Sequence, residues 1–202
     1  MQYRIYVEVE YLLALAKQKE IRKRLLIDDK EQSKLRKLYQ SFDLNAAKEI
    51  KEIEKKINHD VKAVEYYIQD KTRSSLHPWI HFALTSEDVN NISYSLMWKH
   101  ALEKVYLPSA LSLQRKLLDL IREHRKSPML SLTHGQPATP TTFGKEIRVF
   151  YNRIERQIVK LKKGALLAKM SGATGTWSAH NIAFASVDWF KFTSKFVASL
   201  GL

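Results

Sequence analysis

The first 77 residues of the chain contain neither glycine nor proline; the first proline is Pro78 and the first glycine is Gly135. Glycine and proline are the two residues that most strongly interrupt regular backbone structure. The same stretch is rich in Leu, Lys, Glu and Ala, which have high helix propensity. The segment is therefore predicted to be helical throughout.

Apolar residues recur at helical spacing along most of the chain. Three series carry this pattern: Val7, Tyr11, Ala14, Leu15 and Leu25; Ile50, Ile53, Ile57, Val61, Val64 and Ile68; and Phe143, Ile147, Phe150, Ile154, Ile158 and Leu161. Steps of three and four residues place side chains on one face of a helix. A further long helix is expected from Asp88 to about Arg125, kinked or restarted at Pro108. No stretch alternates convincingly like a strand, so the predicted fold is all-α.

Polar turn formers and Pro78 mark a domain boundary within residues 72–86. The pattern predicts a small helical N-terminal domain over residues 1–80. Residues 81–202 would form part of a central long-helix bundle, with loops at 126–142 and 171–186. Such long amphipathic helices need partners to cover their apolar faces.

The chain carries a net charge of +13, from 34 Lys and Arg against 21 Asp and Glu. This excess suits either a polyanion or a small anionic substrate, although a solvated lysine-rich surface explains it equally. Cysteine is absent, which excludes disulfides and thiolate metal sites. No signal peptide, membrane-length apolar run, zinc-binding spacing or nucleic-acid-binding motif occurs. We expect a cytoplasmic protein without a metal, another cofactor or a nucleic acid partner.

Two short polar segments interrupt the helical pattern with chemically useful groups. Asn58, His59 and Asp60 lie inside one apolar series, where Asn58 could cap a restarted helix. Thr85 and Ser86 precede the predicted long helix. They read either as a helix cap or as a binding site for a carboxylate or phosphate at the helix N-terminus.

A third polar segment is "SLTHGQPATP", residues 131–140. Its two prolines prevent a continuous helix, and Gly135 permits backbone angles that other residues avoid. A histidine on such a stiffened loop, His134, suits a general acid or base. The residues alone do not decide between this hypothesis and a second one. In the second, the segment only connects two helices, and Thr141 or Thr142 caps the next helix.

Four segments together resemble the bacterial adenylosuccinate lyase family, within the fumarase/aspartase superfamily. They are "NHDVKAVEYY" (58–67), "HFALTSEDVNNISYSLM" (81–97), "LSLTHGQPATPTTFGKE" (130–146) and "AHNIAFASVDW" (179–189). The resemblance implies a C–N lyase that eliminates fumarate from adenylosuccinate and from the succinylated aminoimidazole carboxamide ribotide of purine biosynthesis. It also implies a homotetramer of long-helix bundles with shared active sites.

Site residues follow from the same resemblance. His134 would be the general acid that protonates the departing nitrogen. Asn58, His59 and Asp60 would contact the substrate, and Thr85 and Ser86 would hold a succinyl carboxylate. Lys145 and His180 lie in matching segments and receive no role.

The family also has features that this sequence does not contain. Its members are longer, open with an Arg-Tyr segment that grips the substrate, and carry the general base on a later Ser-rich loop. We therefore expect a fragment that is inactive by itself. The alternative is a non-catalytic helical module that oligomerises or binds a polyanion.

Overall fold

Helices form most of the chain in the computed structural model, which describes residues 1–202. The α-helices are α1 (Gln2–Lys17), α2 (Asp29–Gln40), α3 (Leu44–Ile57), α4 (Asp60–Asp70), α5 (Ser86–Ala101), α6 (Leu107–Glu123), α7 (Phe143–Lys163), α8 (Ser178–Ala183) and α9 (Trp189–Ser199). The remaining elements are a 3₁₀-helix (Ser74–Trp79), a π-helix (Leu102–Tyr106) and strands β1 (Pro128–Thr133) and β2 (Gln136–Thr142). The all-α prediction is confirmed, with one small sheet added.

The residues fall into two compact units. The first contains Met1–Met97 together with Leu166–Leu202, and the second contains Trp98–Ala165. These bounds differ from the domains 1–80 and 81–202, which stay a prediction. No helix combines the length and the apolar character that crossing a membrane requires.

Helix α1 lies at the centre of the first unit's core. Seven of its apolar side chains are buried: Ile5, Val7, Val9, Tyr11, Leu12, Leu13 and Leu15. Because they surround the helix axis, α1 is buried on nearly every side instead of along one stripe. Leu25 is also buried, but it lies beyond the end of α1, in a non-helical connection over residues 18–28. The helical prediction for residues 1–77 is therefore wrong at such connections.

Several helices begin where a polar side chain caps the first turn. Asp28, Asp43, Thr142 and Asp188 each accept a hydrogen bond from a backbone N–H three residues later, at the starts of α2, α3, α7 and α9. Each cap satisfies one of the N–H groups that a helix N-terminus leaves without a partner. The prediction that Thr142 caps a helix is confirmed.

Pro108 interrupts the predicted long helix. Leu102–Tyr106 is π-helical, and α6 begins at Leu107, so Pro108 occupies the first turn of the new helix. Proline has no N–H to donate and crowds the preceding turn, and a π-helical segment widens the backbone there. The predicted restart at Pro108 is confirmed.

The segment 126–142, predicted as a loop, contains a β-hairpin. Strand β1 pairs antiparallel with β2, and the closing pair is Thr133 with Gln136. The two linking residues, His134 and Gly135, both have positive φ, at 51° and 73°. Two such residues match the twist of a tight hairpin turn. Prolines in β2 are tolerated because each strand of a two-stranded sheet has an unpaired edge.

Helices α6 and α7 approach closely where α7 begins. A Cβ atom at Gly144 would lie 2.8 Å from both the Arg125 Cα and the Ile121 carbonyl oxygen. Both are backbone atoms, so neither can rotate away. The absence of a side chain at Gly144 is what allows this contact.

We expect Gly144→Ala to destabilise the chain by about 1–3 kcal/mol, because the added methyl group forces the backbones apart. Denaturant unfolding followed by circular dichroism measures this change. Gly164→Ala is the matched control, since its nearest neighbour, the Leu161 carbonyl oxygen, would lie at 3.5 Å. Equal losses in both variants would contradict the close-approach explanation.

Candidate functional site

Five of the six predicted site residues lie in the first unit, and His134 lies in the second. Within the first unit, Arg4 connects two of the predicted segments. Its guanidinium lies 2.6 Å from an Asp60 carboxylate oxygen, and its Nε donates to the Asn90 side chain at 2.8 Å. Arg4 therefore links the start of α4 to α5.

Asn58 and His59 form the junction between α3 and α4. Asn58 adopts the left-handed conformation as the C-cap of α3, and His59 is the N-cap of α4. The prediction that Asn58 caps the second helix is wrong, because its backbone already ends the first one. Asparagine tolerates the left-handed region better than most residues, which explains its place at this junction.

The capping bond also determines the tautomer of His59. Its Nδ1 accepts a hydrogen bond from the Lys62 backbone N–H at 3.2 Å. Nδ1 therefore carries no proton, and the proton of the neutral ring lies on Nε2. The side chain is half exposed. His59 can thus donate a hydrogen bond from Nε2 to an anionic group.

The start of α5 places Thr85 and Ser86 beside free helix N–H groups. Asp88, three residues after Thr85, accepts a hydrogen bond from the Thr85 backbone N–H at 3.0 Å. The Asp88 backbone N–H donates to the Thr85 carbonyl oxygen and not to the Thr85 hydroxyl. The Asp88 carboxylate therefore holds the Thr85 backbone, as in one half of a capping box, and the Asp88 N–H is satisfied without the Thr85 hydroxyl.

The Asp88 side chain is fully buried and accepts four hydrogen bonds. Oδ1 accepts from the Lys169 Nζ at 2.8 Å and the Ser171 N–H at 3.1 Å. Oδ2 accepts from the Thr85 and Gly172 N–H groups, at 3.0 and 3.1 Å. A buried carboxylate is stable only with such partners. Asp88 thus joins the start of α5 to the segment 169–172.

A second ionic group in the interior contains His81, which precedes Thr85 by one turn's length in the sequence. The His81 Nδ1 lies 2.6 Å from a Glu8 carboxylate oxygen, and its Nε2 lies 3.7 Å from Glu65. Lys62 pairs with the other oxygen of Glu65 at 2.8 Å. Burial alone would lower the pKa of His81, but the hydrogen bond and charge of Glu8 outweigh it and raise that pKa. Burial raises the pKa of Glu8.

His180 is fully buried, and its ring contacts the Tyr11 hydroxyl. Its Nε2 lies 3.0 Å from the Tyr11 hydroxyl, which donates to the Phe82 carbonyl oxygen at 3.1 Å. Nε2 therefore donates to Tyr11, and the buried Nδ1 has no partner. Burial lowers the pKa of His180, so its neutral form is favoured.

His134 occupies the first position of the β1–β2 turn, where its side chain is exposed. Histidine is one of the few residues other than glycine that enters the left-handed region with some frequency. The paired strands fix the backbone on both sides of the turn. The imidazole is therefore exposed at the tip of a paired hairpin. Lys145 lies in the first turn of α7 and pairs with Glu146 at 2.8 Å.

Sequence reasoning missed Arg4, Glu8, His81 and Asp88, which hold the predicted residues in place. One signal for Glu8 was available, because it stands in the apolar run "IYVEVEYLLALA". A carboxylate within such a run indicates a buried charge that needs a partner. The partner itself, 73 residues away in the chain, has no local signal.

We expect the two buried histidine groups to have opposite effects on the pH dependence of stability. The raised pKa values of Glu8 and His81 give stability that is lost as pH rises through them. The lowered pKa of His180 gives stability that is present above the ordinary histidine pKa and lost as pH falls. The measurement is the free energy of unfolding between about pH 5 and 8.

Two variants separate these contributions. In Glu8→Gln/His81→Gln, the unfolding free energy should rise more steeply with pH than in the unmodified chain. In His180→Gln, it should rise less steeply. Curves that run parallel in all three proteins would contradict the assigned directions.

Comparison of the sequence with known proteins identifies a family. A family described as "Lyase" matches residues 1–200. Adenylosuccinate lyase from Legionella pneumophila is 43% identical over 205 residues, which cover 99% of this chain and 45% of that protein. Adenylosuccinate lyase from Escherichia coli K12 is 42% identical over 207 residues, covering 100% and 45%. The chain thus spans about 45% of the length of these curated relatives.

Solved structures agree in fold. A fumarate lyase from Mesorhizobium has a TM-score of 0.78 at 19% identity, covering 98% of this chain and 44% of that one. A β-carboxy-cis,cis-muconate cycloisomerase from Acinetobacter calcoaceticus has a TM-score of 0.72 at 18% identity, covering 98% and 45%. At these identities the likeness concerns the fold alone. The match over residues 1–200 and the identity along the whole chain are the findings that identify the sequence: it belongs to the lyase family.

Proposed function

We propose that these 202 residues are part of an adenylosuccinate lyase. The reaction is the elimination of fumarate from adenylosuccinate, which yields AMP, and from the succinylated aminoimidazole carboxamide ribotide. The observation that carries the proposal is the identity of 43% to the Legionella enzyme across 99% of this chain. The +13 charge is consistent with a small substrate that bears a phosphate and carboxylates.

His134 is proposed as the general acid. In the elimination, a base removes a proton from the carbon next to the one that bears the nitrogen. The C–N bond then breaks, and the nitrogen takes a proton from the acid. An imidazole can donate a proton, and the paired strands hold the backbone on both sides of the turn that carries it. The base is expected on a Ser-rich loop outside these residues.

Thr85 and Ser86 are proposed to bind a succinyl carboxylate. The first N–H groups of α5 have no partners within the helix, and the helix dipole favours a negative charge at this end. The Thr85 hydroxyl is not used by the Asp88 N–H, which bonds to the Thr85 carbonyl oxygen. Backbone and side-chain donors can therefore converge on one carboxylate.

Asn58, His59 and Asp60 are proposed to contact the rest of the substrate. The Nε2 proton of His59 suits a phosphate oxygen or a support for the proton transfer. Asp60 is oriented by its 2.6 Å ion pair with Arg4. The ion pair therefore holds the Asp60 carboxylate in place before a substrate binds.

The assembly is proposed to be a homotetramer whose active sites draw on more than one subunit. Exposed apolar side chains on the helices of the second unit, including Val105, Leu113 and Phe150, support association. We further propose a cytoplasmic enzyme that requires no cofactor and has no nucleic acid partner.

We expect the purified 202-residue chain to release no fumarate from adenylosuccinate, because it lacks the proposed base. A spectrophotometric assay with the chain alone, and with the complete product of the same reading frame, tests this. Activity in the complete protein only is the expected result. Turnover by the chain alone would contradict the expectation. Salt-sensitive binding of generic nucleic acid by an inactive complete protein would favour the non-catalytic module instead.

In the complete enzyme, His134→Ala should lower kcat by about 10²–10⁴-fold with little change in KM, since a general acid acts on the transition state. Steady-state kinetics with adenylosuccinate measure both constants. Met129→Ala, on strand β1 of the same hairpin, controls for damage to the hairpin. A change confined to KM would contradict the acid role.

A further inference from the structure

We propose that Asp88 and Lys169 are positioning residues: Asp88 holds the Thr85 backbone with its hydroxyl available to the substrate carboxylate, and Lys169 neutralises the charge of Asp88 beside it. The inference rests on the proposed function and extends it to two residues without an assigned role.

The usual helix cap would occupy the hydroxyl that the substrate needs. A threonine at this position normally accepts a hydrogen bond from an N–H two or three residues later. Here the Asp88 N–H reaches the Thr85 carbonyl oxygen, and the Asp88 carboxylate accepts from the Thr85 N–H at 3.0 Å. The Asp88 carboxylate thus holds the Thr85 backbone, and the Asp88 N–H is satisfied by a backbone oxygen without the Thr85 hydroxyl.

A carboxylate at this position creates an electrostatic problem. Asp88 lies in the first turn of α5, where a second negative charge from the substrate would be repelled. Lys169 offsets this repulsion through an ion pair of 2.8 Å to the Asp88 Oδ1. The Ser171 and Gly172 N–H groups add two further donors. With this set of donors, the charge of Asp88 is offset before any substrate arrives.

The position of Lys169 is itself fixed by the fold. Its backbone N–H donates to the Asn91 Oδ1 at 2.7 Å, and its carbonyl oxygen accepts from the Asn91 Nδ2 at 2.9 Å. Asn91 lies one turn along α5 from Asp88, so both members of the ion pair are held to the same helix. Lys169 also donates to the Gly172 carbonyl oxygen. This double attachment separates Lys169 from an ordinary surface lysine.

The first test uses Thr85→Val in the complete enzyme. Because the Asp88 N–H bonds to the Thr85 carbonyl oxygen and not to its hydroxyl, the melting temperature should stay unchanged, while KM for adenylosuccinate rises roughly tenfold or more from the loss of a hydrogen bond to a charged group. Thr85→Ser restores a hydroxyl and should restore KM. A lower melting temperature with unchanged KM would overturn the inference, because it would make Thr85 a structural cap.

The second test uses Lys169→Met, which leaves the Asp88 charge without its cation. KM should rise roughly tenfold or more, with a smaller change in kcat, and Lys169→Arg should restore it. The matched control is Arg36→Met, which breaks a 2.8 Å ion pair to the mostly buried Glu10 in the same unit. That variant should lose stability without a change in KM.

The outcomes separate this inference from the proposed function. If the unmodified complete protein has no lyase activity, the proposed function fails. If it is active and Lys169→Met behaves like Arg36→Met, losing stability at unchanged KM, the positioning role of Lys169 is overturned. A selective rise of KM in both Thr85→Val and Lys169→Met supports the inference.

Discussion

The buried carboxylate of Asp88 is the interaction on which the arrangement of the first unit depends. That unit is discontinuous in the chain, and residues 166–202 return to it after the whole second unit. Asp88 accepts hydrogen bonds from both parts, through Thr85 on one side and Lys169, Ser171 and Gly172 on the other. Because a buried charge without partners is strongly destabilising, the carboxylate favours only the arrangement that supplies all four donors.

Helix α1 has a comparable role for the other buried polar groups. It contributes Glu8 to the pair with His81 and Tyr11 to the contact with His180. Both contacts hold the segment just before Thr85, through His81 and through the Phe82 carbonyl oxygen. The predicted carboxylate-binding residues are therefore held by polar contacts from both directions along the chain. His134 is held differently, by the backbone of a hairpin turn.

Sequence patterns predicted the helices well where local physics decides the outcome. The step of three and four residues located α3, α4 and α7, and Pro108 marked the start of α6. The hairpin was missed because its strands contain prolines and exposed residues and show no alternation. Only the pairing of the two strands, closed by two residues with positive φ, makes them a sheet.

The sequence by itself determined the helical class, the restart at Pro108, and the motifs that contain the predicted site residues. Those properties depend on backbone sterics and on periodic burial, which act between near neighbours. Tertiary structure alone decided that Asp88 pairs with Lys169, that it accepts from the Ser171 and Gly172 N–H groups, and that Glu8 pairs with His81. Such pairings depend on which charged groups lose water together, and that is set by contacts between residues far apart in the chain.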